Sequence, residues 1–166
     1  MKNTHTQLAR LILVLSLSSG LAYAADSSPA PAEAAPQVSA FERSMAAGRL
    51  AIKNKTFAQA ISAFSEAAKQ EPRNADAHTM LAYSYRVQST PNLAKSFEHY
   101  DIALKINPQH RGANEYVGQA YLMDKNVAMA RKHLAALEAI CGKQCPEYKN
   151  LDAALSQNRP NNSYGY

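Results

Sequence analysis

A spacing of about 34 residues recurs through the middle of this chain and restricts its fold more than any single motif does. Small, aromatic and proline residues return in the same order three times, at Gly48, Ala51, Phe57, Ala60, Phe64, Ala67 and Pro72; at Ala82, Tyr85, Leu93, Ser96, Tyr100, Ala103 and Pro108; and at Gly118, Tyr121, Val127, Ala130, Leu134 and Leu137. Pro72 and Pro108 are 36 residues apart and Gly48 and Gly118 are 70 apart, so one two-residue insertion in the middle unit explains both separations. A repeat of this length predicts stacked helical hairpins, which bind other molecules more often than they catalyse reactions.

Helical spacing of apolar residues runs through the segment 39–155, and its breaks predict about seven helices and no strands. Ser39 with Glu42 predicts a capping box for the first helix, in which the hydroxyl and the carboxylate each satisfy a backbone amide. Thr56 with Gln59 predicts the same device for the second helix.

Prolines, glycines and short polar residues predict the later helix boundaries. Pro108 is expected in the first turn of the fifth helix, where its missing amide hydrogen costs nothing. Gly142 is expected to end the sixth helix in a left-handed conformation. The other boundary residues are Asn74 before the third helix, Ser89–Asn92 (with the two-residue insertion) before the fourth, Asp124–Asn126 before the sixth and Pro146 at the start of the seventh.

The repeat also predicts how the helices pack. One small residue in each unit is expected to let the second helix of a hairpin approach the first closely, and these residues are Gly48, Ala82 and Gly118. One larger residue in each unit is expected to fill the space between hairpins, and these residues are Phe64, Tyr100 and Leu134. His99 and His133 each precede such a residue, hold equivalent positions, and are expected to be half-exposed.

The first 24 residues have the pattern of a secretory signal peptide. Lys2 and Arg10 precede a short apolar run, and Ala22–Ala24 is a small-residue cleavage site. The apolar run is shorter than the roughly 20 residues that a membrane-spanning helix needs, so the cleaved protein is not expected to span a membrane. The pattern predicts an exported protein in the periplasm, with secretion from the cell as the alternative.

The two flanks of the repeat region have compositions that cannot form a core. The segment 25–38 is rich in proline and alanine and predicts a flexible tether, and the polar segment 158–166 predicts a disordered tail. The repeat domain is therefore expected at 39–157. Removal of the signal peptide lowers the net charge from +5 to +3, and no run concentrates this charge, so binding to nucleic acid is not expected.

These residues and spacings resemble the tetratricopeptide repeat (TPR) family, with repeats at about 41–74, 75–110 and 111–144 and a capping helix at 146–157. The third repeat departs from the family pattern, since Gly142 stands where proline is usual. The resemblance implies an all-α fold, a right-handed superhelix of helical hairpins. It also implies a non-enzymatic adaptor without a cofactor that binds a peptide or a partner protein.

In this family the first helices of the hairpins line a concave groove. The resemblance therefore implies a mixed apolar and cationic groove in this chain, formed by Met45, Arg49, Lys53, Thr79, Tyr83, Arg86, Glu115, Gln119 and Met123. Methionine and tyrosine suit adaptable apolar contacts, and arginine and lysine suit carboxylates or backbone carbonyls. Such a groove suits an extended peptide or a helix of a partner.

Cys141 and Cys145 are the only cysteines, and an exported protein meets an oxidising compartment. They are interpreted as a structural disulfide between the last repeat and the capping helix. A thiol-redox pair or a metal-handling site is the alternative function class, although three intervening residues are unusual for a redox pair and no histidine is close in sequence. A third hypothesis is a structural protein that assembles with further copies through the exposed end of the array.

Overall fold

The structure, a computed structural model, describes residues 38–157, and this part of the chain contains seven α-helices and no strands. The helices are α1 (Ala40–Lys53), α2 (Phe57–Gln70), α3 (Ala75–Val87), α4 (Leu93–Ile106), α5 (Arg111–Met123), α6 (Val127–Cys141) and α7 (Pro146–Ser156). Each helix contacts the next along the chain, which gives three hairpins and a final helix. The predicted all-α helical repeat is confirmed.

The hairpins form two layers. In the inner layer, α1 contacts α3 and α3 contacts α5. In the outer layer of the described chain, no two of the helices α2, α4 and α6 come within 8 Å of each other at their Cα atoms. The inner helices therefore lie closer together than the outer ones, and α7 closes the array by packing against both α5 and α6.

Polar side chains start most of these helices, as the sequence predicts. The capping box at α1 is complete, since the Ser39 hydroxyl accepts from the Glu42 amide and the Glu42 carboxylate accepts from the Ser39 amide. Three asparagines cap α3, α4 and α6 by accepting the amide hydrogen three residues ahead, and they are Asn74, Asn92 and Asn126. Each cap satisfies an amide that the helix itself leaves without a partner.

One predicted capping bond and one predicted helix start are wrong. The Thr56 side chain makes no capping bond to α2, because its hydroxyl points back and donates to the Ala51 carbonyl at 3.2 Å. Pro108 does not lie in the first turn of α5, which begins at Arg111. The Asn107 side chain accepts from the backbone amide of Gln109, so this stretch closes on itself as a turn before the helix begins.

Positive φ angles occur at three described turns. Gly142 has φ 75° and ψ 170°, so the expected positive φ is present but the residue lies in a region open essentially to glycine alone, outside the left-handed helical region. Lys55 and Lys125 have φ 58° and 59°. They hold equivalent positions in the first and third hairpins, and this conformation was not predicted because lysine rarely adopts it.

The core confirms one close approach that the repeat predicts and corrects another. A Cβ on Gly48 would lie 2.5 Å from the Phe64 ring, so glycine there lets α2 approach α1. A Cβ on Gly118 would instead meet Leu151 of α7 at 2.5 Å, so this glycine seats the final helix rather than its hairpin partner. Leu134 is only partly buried, whereas Leu137 is fully buried.

Several predictions concern residues that lie outside the described part of the chain. They are the signal peptide at 1–24, the tether at 25–38 apart from Val38, and the tail at 158–166. Within residues 38–157, no helix combines the length and the apolar character that crossing a bilayer requires.

Candidate functional site

The residues predicted to line a groove lie on the three inner helices, which the fold brings together. Arg49 and Lys53 are exposed and Met123 is half-buried. The other six are buried, and they are Met45, Thr79, Tyr83, Arg86, Glu115 and Gln119. The exposed surface of the inner layer is therefore smaller than the predicted set, and much of that set lies beneath the surface.

Four of these buried residues and the buried Tyr100 of α4 form what we call the central polar cluster, namely Tyr83, Arg86, Tyr100, Glu115 and Gln119. The Arg86 side chain is fully buried, and its guanidinium carbon lies 5.2 Å from the centre of the Tyr83 ring. A terminal nitrogen of Arg86 also lies 3.9 Å from the Met123 sulfur. Arg86 and Ser96 lie beside the Tyr100 hydroxyl, and burial raises the pKa of this phenol. Arg86 therefore joins α3 to α4 and α5 inside the array.

Glu115 extends the central polar cluster toward α7. Its carboxylate accepts from the Gln119 side-chain amide at 3.0 Å and hydrogen bonds with Asn150 of α7. Burial, together with the nearby Glu147 carboxylate, raises the pKa of Glu115 to about 7, although Asn150 and Arg86 act in the opposite direction. Glu115 is thus a buried acid that changes its charge near neutral pH where the last hairpin meets the final helix.

A second polar contact links the second and third hairpins at the inner layer. The His110 side chain donates from Nε2 to an Asp76 carboxylate oxygen at 2.9 Å, and its Nδ1 accepts from the Ala113 amide as the cap of α5. This hydrogen bond lowers the pKa of Asp76, and the positive charge of Arg49 lowers it as well. Sequence reasoning missed this contact, although Asp76 and His110 are one repeat apart, 34 residues.

The two cysteines are paired at the junction between α6 and α7. Cys141 ends α6, Cys145 immediately precedes α7, and their Cα atoms are 5.9 Å apart. The carboxylate of Glu147 lies near both sulfurs, all three donors being within 4.8 Å of one another. The sequence offers only distant histidines as further metal ligands, whereas the first turn of α7 brings Glu147 to the cysteine pair.

Comparison with known proteins places the fold in a family. Residues 45–110 match the sequence model of the tetratricopeptide repeat family. The solved Arabidopsis OM64 TPR domain has a similar structure, with 18% sequence identity and a TM-score of 0.62, over 71% of this chain and 95% of that domain. No curated protein matches this chain in sequence. The repeat pattern and the seven helices of the described chain agree with these two matches, which support a tetratricopeptide repeat protein.

Proposed function

We propose that this protein is a non-catalytic interaction module that binds a peptide or a partner protein on its inner layer of helices. Tetratricopeptide repeats generally mediate protein–protein interaction. The observation that carries the proposal is the contact of α1, α3 and α5 as one layer with the central polar cluster buried beneath it. Such a layer presents a preorganised surface, which lowers the entropy that binding costs.

Arg49 and Lys53 are the residues best placed to contact the partner. Both are exposed, and they lie four residues apart on α1, so they share one face of that helix. Arginine and lysine bind carboxylates and backbone carbonyls, which favours a partner segment with acidic side chains or a free C-terminus. The buried members of the predicted groove then act as the support that fixes this surface.

A charge-reversal variant tests this assignment without disturbing the core. We expect Arg49→Glu with Lys53→Glu to abolish crosslinking to the partner in the native compartment, read by mass spectrometry of the captured proteins. The matched control is Lys105→Glu with Lys132→Glu, which makes the same charge change at exposed positions of α4 and α6. Circular dichroism checks that both variants keep their helicity.

Three results contradict the proposal. If the Arg49 and Lys53 variant captures the same proteins as the wild type, the inner layer is not the binding surface. If the outer-helix variant loses them as well, capture depends on net charge alone and the assignment to α1 fails. If neither variant loses any protein that the wild type captures, the protein is not an interaction module of this kind.

We also propose that Cys141 and Cys145 form a structural disulfide that fixes α7 to the end of α6. A loop this short stabilises the fold by about 2 kcal/mol on the loop-entropy account. Changing both cysteines to serine is expected to lower the free energy of unfolding by that amount and to leave partner capture intact. A reduction potential above about −300 mV would instead favour the redox alternative, because structural disulfides lie below that value.

We propose further that the protein is exported to the periplasm. The support is the signal-peptide pattern of residues 1–24 together with a cysteine pair suited to an oxidising compartment. N-terminal sequencing of the protein from a periplasmic fraction is expected to begin at Ala25. An intact Met1 in cytoplasmic fractions alone would refute this.

A further inference from the structure

A chain of side chains repeats in the second and third hairpins with one difference. In the second hairpin, His78 of α3 lies with Nε2 3.1 Å from the Pro72 carbonyl oxygen and Nδ1 3.2 Å from Nδ1 of His99 on α4. The His99 ring lies nearly parallel to the ring of Tyr85, at 5.9 Å between centroids. These contacts tie α3 to α4 and to the turn before α3.

The third hairpin has the same arrangement with asparagine in place of the first histidine. The Asn114 amide nitrogen donates to the Pro108 carbonyl at 3.1 Å, and its oxygen lies 3.0 Å from Nδ1 of His133. The His133 ring lies nearly parallel to Tyr121, at 5.7 Å between centroids. The chain thus contains its own comparison of histidine with asparagine at one position of the repeat.

Hydrogen-bonding chemistry fixes where the protons lie in the second hairpin. The Pro72 carbonyl can only accept, so Nε2 of His78 carries a hydrogen. In neutral His78 the other nitrogen, Nδ1, has only a lone pair, so Nδ1 of His99 must donate to it. The ring centroids are 5.5 Å apart and the nitrogens 3.2 Å apart, which places both nitrogens close to the line between the rings, as a hydrogen bond requires.

The two hairpins respond differently to acid. A first proton on the His78–His99 pair leaves one bare Nδ1, so the link persists as a charge-assisted hydrogen bond. A second proton puts two N–H groups and two positive charges face to face, and the link is lost. The amide oxygen of Asn114 always accepts, so His133 can take its proton on Nε2 without losing its partner.

We propose that His78 and His99 form a proton-sharing pair that holds the second hairpin together at neutral pH, and that a second proton releases it. Acid then loosens α3, α4 and the turn before α3, while the third hairpin keeps its link through Asn114. The device is independent of the proposed binding function, because it is a property of the fold.

The surroundings of the pair agree with this direction. Burial lowers the pKa of His99, and the neighbouring His78 lowers it further. The charges that act on His99 from its own helix are Glu98, which raises the pKa, and Lys95, which lowers it, and these two side chains pair with each other at 2.8 Å. From α3 the ring of Tyr85 covers His99, and the turn before α3 offers the Pro72 carbonyl to His78.

The sign of the pH effect follows from this lowered pKa. The unfolded chain takes up protons near the ordinary histidine pKa of about 6.5, before His99 of the folded chain does. The stabilisation is therefore complete above that pH and is lost as the pH falls through the lower folded values. Burial also lowers the pKa of His133, with Lys132 lowering it and Asp101 opposing, so the comparison below separates pairing from burial.

Imidazole ¹⁵N NMR of the purified protein tests the proton positions directly. We expect hydrogen on Nε2 of His78 and on Nδ1 of His99 at pH 8, with a scalar coupling between the two Nδ1 nitrogens. On titration we expect the pair to take up its second proton at a lower pH than His133 takes up its proton, because coupled sites titrate in separated steps. Independent titration of His78 and His99, each close to His133, would overturn the proposal.

Exchanging the two repeat residues tests the consequence for the fold. Amide hydrogen-exchange protection at pH 7.5 and pH 5 is the readout, compared between α3–α4 and α5–α6. In the wild type we expect acid to reduce protection of α3–α4 about tenfold more than that of α5–α6, the equivalent of one pKa unit. His78→Asn should remove this difference, and Asn114→His should give α5–α6 the same acid response.

A further variant separates pairing from the removal of a buried histidine. His133→Gln takes away a half-buried imidazole in the third hairpin and should leave the acid response of α3–α4 unchanged. The proposal fails if His78→Asn retains the wild-type response or if His133→Gln abolishes it. If Asn114→His does not fold, the His78→Asn comparison and the proton positions from NMR still decide the matter.

Discussion

At the scale of single residues, Gly118 determines how the array ends. Leu151 of α7 is fully buried against it, so no space remains for a side chain. The repeat pattern places a small residue at this position but cannot say which helix fills the space. In the first hairpin the partner helix fills the space, since Phe64 of α2 lies against Gly48. In the last hairpin the inner face of α5 is open to α7, which fills the space at Gly118 instead.

We expect Gly118→Ala to destabilise the protein by about 1–3 kcal/mol, because the new methyl group overlaps Leu151 in a filled core. Gly112→Ala is the matched control on the same helix, since its nearest neighbour would lie at an ordinary 3.5 Å. That control should stabilise the helix by roughly 0.5–1 kcal/mol. Urea unfolding measures both, and equal midpoints would show that α7 does not rest on Gly118.

Glu115 is the residue at which a neutral substitute should stabilise the fold. Its pKa in the folded protein is about 7, above the ordinary glutamate value, so its contribution to stability is complete in acid and is lost as the pH rises through 7. Glu115→Gln keeps a similar shape without the charge. We expect it to stabilise the protein by on the order of 1–3 kcal/mol at pH 8 and to change little at pH 4.

The measurement for Glu115 is the free energy of unfolding of both proteins between pH 4 and pH 8. The difference between wild type and Glu115→Gln should grow over this range. A constant difference, or a variant that is less stable at pH 8, would show that the charge of Arg86 compensates the buried carboxylate fully.

At the scale of helices and turns, equivalent positions use different chemistry for one purpose. Asn74 caps α3 with an amide oxygen, and His110, 36 residues later, caps α5 with an imidazole nitrogen. The sequence predicted the asparagine caps because asparagine is a familiar cap. It missed His110, and so placed Pro108 inside the helix, because histidine is rare in that role and its second nitrogen is recruited by Asp76.

His110→Ala and His110→Asn separate the two roles of this side chain. Asparagine should preserve the cap and lose the contact with Asp76, whereas alanine loses both. We therefore expect His110→Ala to be less stable than His110→Asn by about 1 kcal/mol. Thermal unfolding at pH 7 measures both. If the two variants melt together, the cap contributes nothing.

The contact of Asp76 with His110 also has a pH dependence. The pKa of Asp76 is lowered by the hydrogen bond from His110, so its contribution is present above the ordinary aspartate pKa of about 3.9 and is lost as the pH falls below it. His110→Ala and His110→Asn both lack this contact. The difference in stability between the two variants should therefore not depend on it.

At the scale of the whole molecule, the sequence predicts the architecture well and the surface poorly. The 34-residue spacing reports positions that every hairpin must fill, such as Phe64 and Tyr100, and both are fully buried. The burial of the variable positions between them depends on contacts with other helices, and the sequence of one repeat does not show these contacts. Arg86 and Glu115 have the polarity of surface residues but lie inside the array, because Tyr83, Tyr100 and Asn150 offer them partners there.

The final helix should be essential to the whole array. A chain that ends at residue 144 lacks α7 and uncovers the faces of α5 and α6 that contain Leu122 and Leu137. We expect a lower melting temperature and self-association through this apolar face. Calorimetry and sedimentation velocity measure the two effects. Leu151→Ala should give a milder loss of about 2–5 kcal/mol, and a monomeric truncated chain with unchanged melting would refute the role of α7.

The separation of the two layers has a mechanical consequence. Because no two of α2, α4 and α6 come within 8 Å at their Cα atoms in the described chain, we expect their spacing to change with less repacking than that of the inner helices. The inner helices do come within this distance of one another, so we expect the array to bend about them. We expect the domain to bend easily and to resist extension along its inner helices. A ligand bound to the inner helices should then change the pitch of the superhelix at little cost in packing.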